Sequence, residues 1–153
     1  MPSTFSQIYI QIVLVVKGRQ CMIHQSWEED LYKYITGIVK KKGLHLLAIN
    51  GMPDHIHFLI RMRPASSLSD LMREIKKSTN DFINESGYIK HRFYWQEGYG
   101  AFSYSQYEVE KIINYIKNQK EHHLKQSFKV EYLRLLDDFQ IEYKDEYLFE
   151  WIE

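Results

Sequence analysis

Two histidines, His55 and His57, stand one residue apart in Asp54-His55-Ile56-His57-Phe58-Leu59-Ile60. On a strand successive side chains point to opposite faces, so both imidazoles share a face with Leu59, while Ile56, Phe58 and Ile60 face the other way. Two imidazoles on neighbouring same-face positions of a rigid strand can converge on one cation or one phosphate. The competing reading is a core histidine with a satisfied ring nitrogen. Other residues must complete any site. Tyr115 and Gln119 are four apart and stack on one side of a helix, on the flank of its apolar stripe of Val109, Ile112, Ile113 and Ile116. A tyrosine at such a seam is either a packing residue or a hydroxyl held against whatever the helix covers.

The elements that would position these groups follow from the pattern along the chain. Ile8 to Lys17 reads as a first strand, mostly apolar and hence central in its sheet. Ser26-Trp27-Glu28-Glu29 has the form of a capping box before a helix that Gly43 ends. Leu44 to Asn50 is a second strand, and the Gly51-Met52-Pro53-Asp54 turn leads into the histidine strand as an antiparallel hairpin. A second helix carries Leu68, Leu71, Met72, Ile75, Phe82 and Ile83 on its buried stripe and stops by Gly87. Arg73, Lys76, Lys77 and Asn80 form a polar, basic face, either solvated or in contact with phosphate. His91 to Trp95 reads as a short fourth strand, continued by Ala101 to Tyr104 beyond the Gly98 and Gly100 joint. Ser105-Gln106-Tyr107-Glu108 opens the helix that holds Tyr115, and a last short helix spans Val130 to Leu136. This order predicts an α+β, ferredoxin-like (RRM-like) fold: a four-stranded antiparallel sheet with helices on one face, plus a C-terminal helix carrying Tyr115. Residues 1–153 read as a single domain.

Composition narrows the function classes. The chain has 153 residues, enough for a real core, and 15% of them are aromatic. Cys21 alone cannot build a disulfide framework or a thiolate metal cluster, which fits a reducing cytosol. The longest apolar run, Ile12 to Val16, is too short to span a bilayer, so a cytoplasmic protein without a membrane partner is expected. The formal net charge is zero, but it is unevenly spread. Seven acids against Lys144 give residues 137–153 a net charge of −6, leaving +6 on the preceding 136. A basic body of that kind is compatible with a phosphate-bearing partner.

His55-Ile56-His57 matches the histidine–hydrophobic–histidine (HUH) motif, and Tyr115 to Gln119 matches Tyr-x-x-x-Gln. Together they resemble the HUH single-tyrosine transposases of bacterial insertion sequences, the IS-two-hundred-like family. Met52-Pro53-Asp54, Ser67 to Met72, Trp95 to Ser103 and Gln119 to His123 are similar to that family's segments at similar spacings. The resemblance covers roughly residues 5 to 150. It implies that His55, His57 and Gln119 hold one divalent cation, Mg²⁺ or Mn²⁺, and that Tyr115 is the nucleophile. It also implies single-stranded DNA with subterminal hairpins as substrate, and a homodimer in which Tyr115 of one subunit can complete the other's histidine site. Ligand softness read from the residues alone favours Zn²⁺ or Mn²⁺ instead, because the three ligands include no carboxylate.

The chemistry matches the residue types. Cleaving a phosphodiester with a phenol is an in-line displacement at phosphorus, and a phenol with an ordinary pKa of about 10 needs activation. The product, a 5′-phosphotyrosine ester, retains the bond energy for rejoining, so no nucleotide cofactor is required and no phosphate-binding loop motif is present. Single strands would be tracked by Arg73, Lys76, Lys77 and Arg92 and would stack on Trp95, Tyr99 or Tyr104. The rival readings are a histidine phosphoesterase, a domesticated relative nicking host repeat hairpins, and a non-catalytic nucleic-acid-binding module.

Overall fold

The structure is a computed structural model describing residues 3–152. Four strands, β1 (Ile8–Val15), β2 (His45–Met52), β3 (His55–Met62) and β4 (Gly100–Tyr104), form one antiparallel sheet in the order β2-β3-β1-β4. Helices α1 (Glu28–Lys41) and α2 (Leu68–Ser86) make the two crossovers. After β4 come α3 (Gln106–Lys117), a single turn α4 (Gln119–His122) and α5 (Phe128–Asp138). This is the α+β ferredoxin-like arrangement read from the sequence.

The two central strands explain the layering. β1 and β3 pair over their full length, with Val13 opposite His57 and Val15 opposite His55. Ile12, Leu14, Ile56, Phe58 and Ile60 point to one face and pack under α1 and α2. Val13 and Val15 point to the opposite face with Phe102, where Phe128, Tyr132 and Leu136 of α5 cover them. Leu59, Tyr9 and Ala48 lie beside them under Val109 and Ile116 of α3. Both faces of the sheet are therefore covered, α1 and α2 on one and the C-terminal helices on the histidine face.

Several boundaries differ from the sequence expectation for local reasons. β1 ends at Val15, and the His91–Trp95 segment is no strand: its one ladder contact is an isolated bridge between Val16 and Trp95. The Asn84 side chain binds both backbone groups of Phe93, accepting from its N–H at 2.6 Å and donating to its carbonyl at 3.2 Å. Those groups are unavailable to a ladder, and the fourth strand begins only at Gly100. β4 thus begins at Gly100 itself and separates Gly98 from α3. Gly100 is paired with Val13 and packed against the Tyr132 ring, so it is no flexible joint. α1 starts at Glu28, because the Ser26 hydroxyl is engaged with His24 Nδ1 at 2.8 Å. Ser67 and Ser127 do cap α2 and α5, accepting from Asp70 and Val130 N–H, whereas the Ser105 side chain makes no capping bond to α3. α5 runs two residues further at each end than expected.

Candidate active site

His55 and His57 project from β3 into the layer between the sheet and the C-terminal helices, and both are fully buried. Each ring is held through Nδ1. His55 Nδ1 donates to the Asp54 carboxylate at 2.7 Å, leaving Nε2 turned into the site. His57 Nδ1 lies 2.8 Å from the amide nitrogen of the buried Gln11, whose Oε1 accepts from the Tyr104 hydroxyl at 2.7 Å. The Phe128 ring stacks on His55 with centroids 3.8 Å apart, fixing its plane.

The helix carrying Tyr115 is tied to the sheet beside these rings. Asn50 Nδ2 donates to the Lys117 carbonyl at 2.9 Å, and Lys120 Nζ donates to the Gly51 carbonyl at 2.8 Å. Lys120 also pairs with Glu28 of α1 at 2.9 Å. These contacts put the Tyr115 ring 5.9 Å from the His57 ring, centroid to centroid, within one chain. Gln119 is fully buried, with Oε1 at 3.3 Å from His55 Nε2.

The centre of the cluster is a residue that sequence reasoning did not single out. Glu131 of α5 is buried among the imidazoles, with Oε1 accepting from His57 Nε2 at 2.9 Å. The same oxygen lies 3.5 Å from His55 Nε2 and 3.2 Å from His123 Nε2. Its Oε2 accepts from Gln119 Nε2 at 3.1 Å and from the Tyr115 hydroxyl. One carboxylate thus joins the tyrosine to the histidine pair. A signal for it existed: Glu131 falls on the same stripe of α5 as Phe128, Tyr132 and Leu136, where a solvated glutamate has no place.

The electrostatics follow from burial and this crowding. Burial alone would raise the Glu131 carboxyl, but the surrounding imidazoles, His57 foremost, hold it well below the usual carboxylate range. Burial pulls the His57 imidazole below its ordinary value. Burial also opposes charge on His55, yet Asp54 and Glu131 outweigh it and raise that ring. Burial and the adjacent carboxylate push the Tyr115 phenol up. The phenol is protonated here and needs a nearby positive charge to ionise.

The donor set fits a divalent cation. With its Nδ1–H committed to Asp54, His55 turns Nε2 toward the Gln119 carbonyl oxygen 3.3 Å away, and in the neutral form of the ring that nitrogen and that oxygen are both acceptors. Two facing acceptors call for a proton or a cation between them. The ligand atoms of His55, His57 and Glu131 all lie within 4.8 Å of one another. The His55–Asp54 contact is the orienting carboxylate that metal-binding imidazoles commonly use. A cavity of about 530 Å³ opens onto Tyr115 and Glu131, with Lys111, His122 and Arg134 along its walls.

Of the aromatic candidates, Tyr104 lines the cavity beside Tyr115, whereas the basic candidates and Trp95 lie elsewhere. Arg73 and Lys77 are exposed on α2, and Arg73 pairs with Asp70 at 2.9 Å. Lys76 donates to the Gln96 and Gly98 carbonyls, at 2.9 and 2.6 Å, and so ties α2 to the segment before β4. Arg92 is exposed and lies over the Tyr94 ring at 5.7 Å. Trp95 departs from its expected role as a stacking platform. It is 6% exposed and its indole N–H donates to the Thr79 hydroxyl at 2.8 Å, which makes it part of the core.

A ferredoxin-like sheet presenting a paired-histidine cluster to a helix-borne tyrosine defines the class. The family model described as "Transposase IS200 like" matches residues 4–119, and the chain belongs to that family. The match stops at Gln119, so α5 and Glu131 lie beyond it. The chain is 22% identical to the ISDra2 transposase TnpA of Deinococcus radiodurans over 75% of its own length and 86% of that protein's. In fold it is similar to a candidate transposase from Deinococcus radiodurans R1, with a TM-score of 0.62 and 20% identity over 78% of this chain and 95% of that one. It is also similar in fold to a REP-associated tyrosine transposase bound to a REP hairpin, with a TM-score of 0.60 and 16% identity over 80% of this chain and 73% of that one. Among the described residues no helix is long and apolar enough to cross a membrane.

Proposed function

We propose that this chain is a single-stranded DNA transposase that cleaves and rejoins hairpin-bearing element ends with Tyr115 as nucleophile. The observation that carries the reading is the Glu131 bridge: one carboxylate oxygen meets the Tyr115 hydroxyl and the other meets His57 Nε2 at 2.9 Å. A phosphodiester seated between the same partners would face the phenol on one side and the histidines on the other. The cavity beside Tyr115 is the route by which a strand would arrive, with Lys111 and Arg134 available to its phosphates.

His55, His57 and Glu131, with Gln119 beside them, would hold a divalent cation such as Mg²⁺ or Mn²⁺. Bound there, it would neutralise phosphate charge and favour the phenolate. The chain's own groups do the rest. Asp54, Gln11 and Phe128 fix the imidazole planes, and Lys120 and Asn50 hold the tyrosine helix in register with them. The phenol loses its proton, the Tyr115 Oη–P bond forms as the P–O3′ bond breaks, and the released 3′ oxygen takes a proton. A second 3′-OH then attacks the phosphotyrosine and frees the hydroxyl. Tyr115 stands at its own chain's histidines, so a single subunit holds the whole constellation; exchange of Tyr115 between subunits of a homodimer requires α3 to leave this seat.

The test is incubation with single-stranded oligonucleotides and Mg²⁺ or Mn²⁺, followed by denaturing electrophoresis. A covalent adduct lost in Tyr115→Phe is expected. Retardation of DNA by the wild type, with neither cleavage nor adduct on any hairpin-bearing strand, would make the protein a binding module.

A further inference from the structure

We propose that His123 supplies a third imidazole to the cation, making the site richer in nitrogen than the HUH pair alone. The inference rests on the functional reading above. His123 follows α4 directly, four residues after Gln119, which is itself four after Tyr115, so the three side chains line one side of the helical path. Its ring is buried, with its side chain 5% exposed. Nε2 lies 3.2 Å from Glu131 Oε1 and 3.0 Å from Gln119 Oε1, and the ring centroid is 4.7 Å from that of His55.

The convergence is the argument. The Nε2 atoms of His55, His57 and His123 all lie within 3.5 Å of the same Glu131 oxygen. They come from two sides, His55 and His57 from β3 and His123 from the helical layer. Nitrogens that aim at one point are arranged for one small cation, and modest inward movement brings each to a bonding distance of roughly 2.1 Å. His57 joins them when the Gln11 amide is turned, so that its oxygen accepts from Nδ1–H and Nε2 keeps a lone pair. His122 differs: its side chain is 31% exposed, lies 3.5 Å from the other Glu131 oxygen and has its ring beside Tyr115. Three imidazoles and a carboxylate suit Mn²⁺, Co²⁺ or Zn²⁺ better than Mg²⁺, which prefers an all-oxygen octahedron.

Cobalt(II) titration of the full chain tests this, because the visible absorption of the ion reports its donors. Wild type, His123→Ala and His123→Gln are compared; glutamine keeps a donor able to reach Glu131 but offers no imidazole. The proposal expects both variants to lose affinity roughly tenfold or more and to change the spectrum. X-ray absorption on cobalt-loaded wild type should count three imidazoles, a result that needs no variant to fold. Two imidazoles in that spectrum, or variants that bind as wild type does, would overturn the assignment and leave the proposed function standing. Weakening in His123→Ala that His123→Gln restores would make His123 a positioning residue and equally overturn it. Wild type that binds no divalent ion at all would sink this inference together with the metal-dependent reading beneath it.

Discussion

Glu131→Ala is the substitution that most directly probes how the site is held together, measured first without metal. The carboxylate is buried and ionised, and it meets His57, His123, Gln119 and Tyr115. Truncation leaves the His57 ring N–H and the Gln119 amide facing a gap, at about 1 to 3 kcal/mol for each buried donor without a partner. Two terms offset part of this. The buried charge is itself costly to desolvate, and the half-buried Tyr115 hydroxyl can turn toward the adjoining cavity and water. The net expectation is a loss of about 3 kcal/mol, the low end for breaking a buried ionic contact by removing one partner. For a chain of this length that lowers the melting temperature by roughly 10 °C. Tyr115→Phe removes only one of the carboxylate's contacts and should lose about 1 kcal/mol. Thermal and urea unfolding of the two variants beside wild type, in the presence of a chelator, reads both numbers. A Glu131→Ala loss no larger than that of Tyr115→Phe would mean a hydrated carboxylate, and the bridging argument would fail.

Three further outcomes follow from named contacts. A Cβ on Gly51 would sit 2.2 Å from the His55 carbonyl oxygen and 2.7 Å from the Ile56 Cα. Gly51→Ala should therefore destabilise by about 3 kcal/mol, the upper end for overpacking, and weaken Mn²⁺ binding through the displaced His55; a near-wild-type melt would refute the close approach. Trp95→Ala should lose about 3 to 5 kcal/mol as a core truncation, and a selective fall in DNA affinity at unchanged stability would show that Trp95 touches DNA after all. Arg73→Ala with Lys77→Ala should leave stability within about 0.5 kcal/mol. If both residues meet phosphate, the slope of log affinity against log salt falls by roughly 0.7 for each phosphate no longer neutralised, and an unchanged slope in a binding titration removes them from the interface.

Spacing alone exposed half of the site. His55 and His57 could be paired because a strand repeats every second residue, and Tyr115 and Gln119 because a helix repeats near every fourth. The first rule acts within β3 and the second along the helical path that continues from α3 into α4, so in both cases the local backbone fixes the geometry. Glu131 and Gln11 belong to other elements, and their arrival at the same point depends on how those elements dock. Glu131 was also masked by the acidic run that begins at the end of α5, although its neighbours Phe128 and Tyr132 mark it as buried. The misplaced fourth strand has the same origin: His91 to Trp95 has strand-like residues, but Asn84, on a different element, takes the backbone groups of Phe93.

Coverage of the histidine face was deducible from β1. Its sequence IYIQIVLV is apolar at both alternating sets of positions but for Gln11, and a strand with two largely apolar faces must be covered on both. Two crossover helices can cover only one side, so the second layer had to come from the chain after β4. Tyr115, His123 and Glu131 all lie in that segment. The layer that keeps Val13, Val15 and Leu59 from water therefore also carries a hydroxyl, an imidazole and a carboxylate to His55 and His57. Fold and site are coupled through this layer. A substitution that loosens α5 from Val13 and Phe102, such as Tyr132→Ala, should weaken cation binding as well as stability, whereas truncation of Ile75 on the buried side of α2 should lower stability alone. Equal effects of the two on cation affinity, at matched loss of stability, would show that the layer covers the site without assembling it.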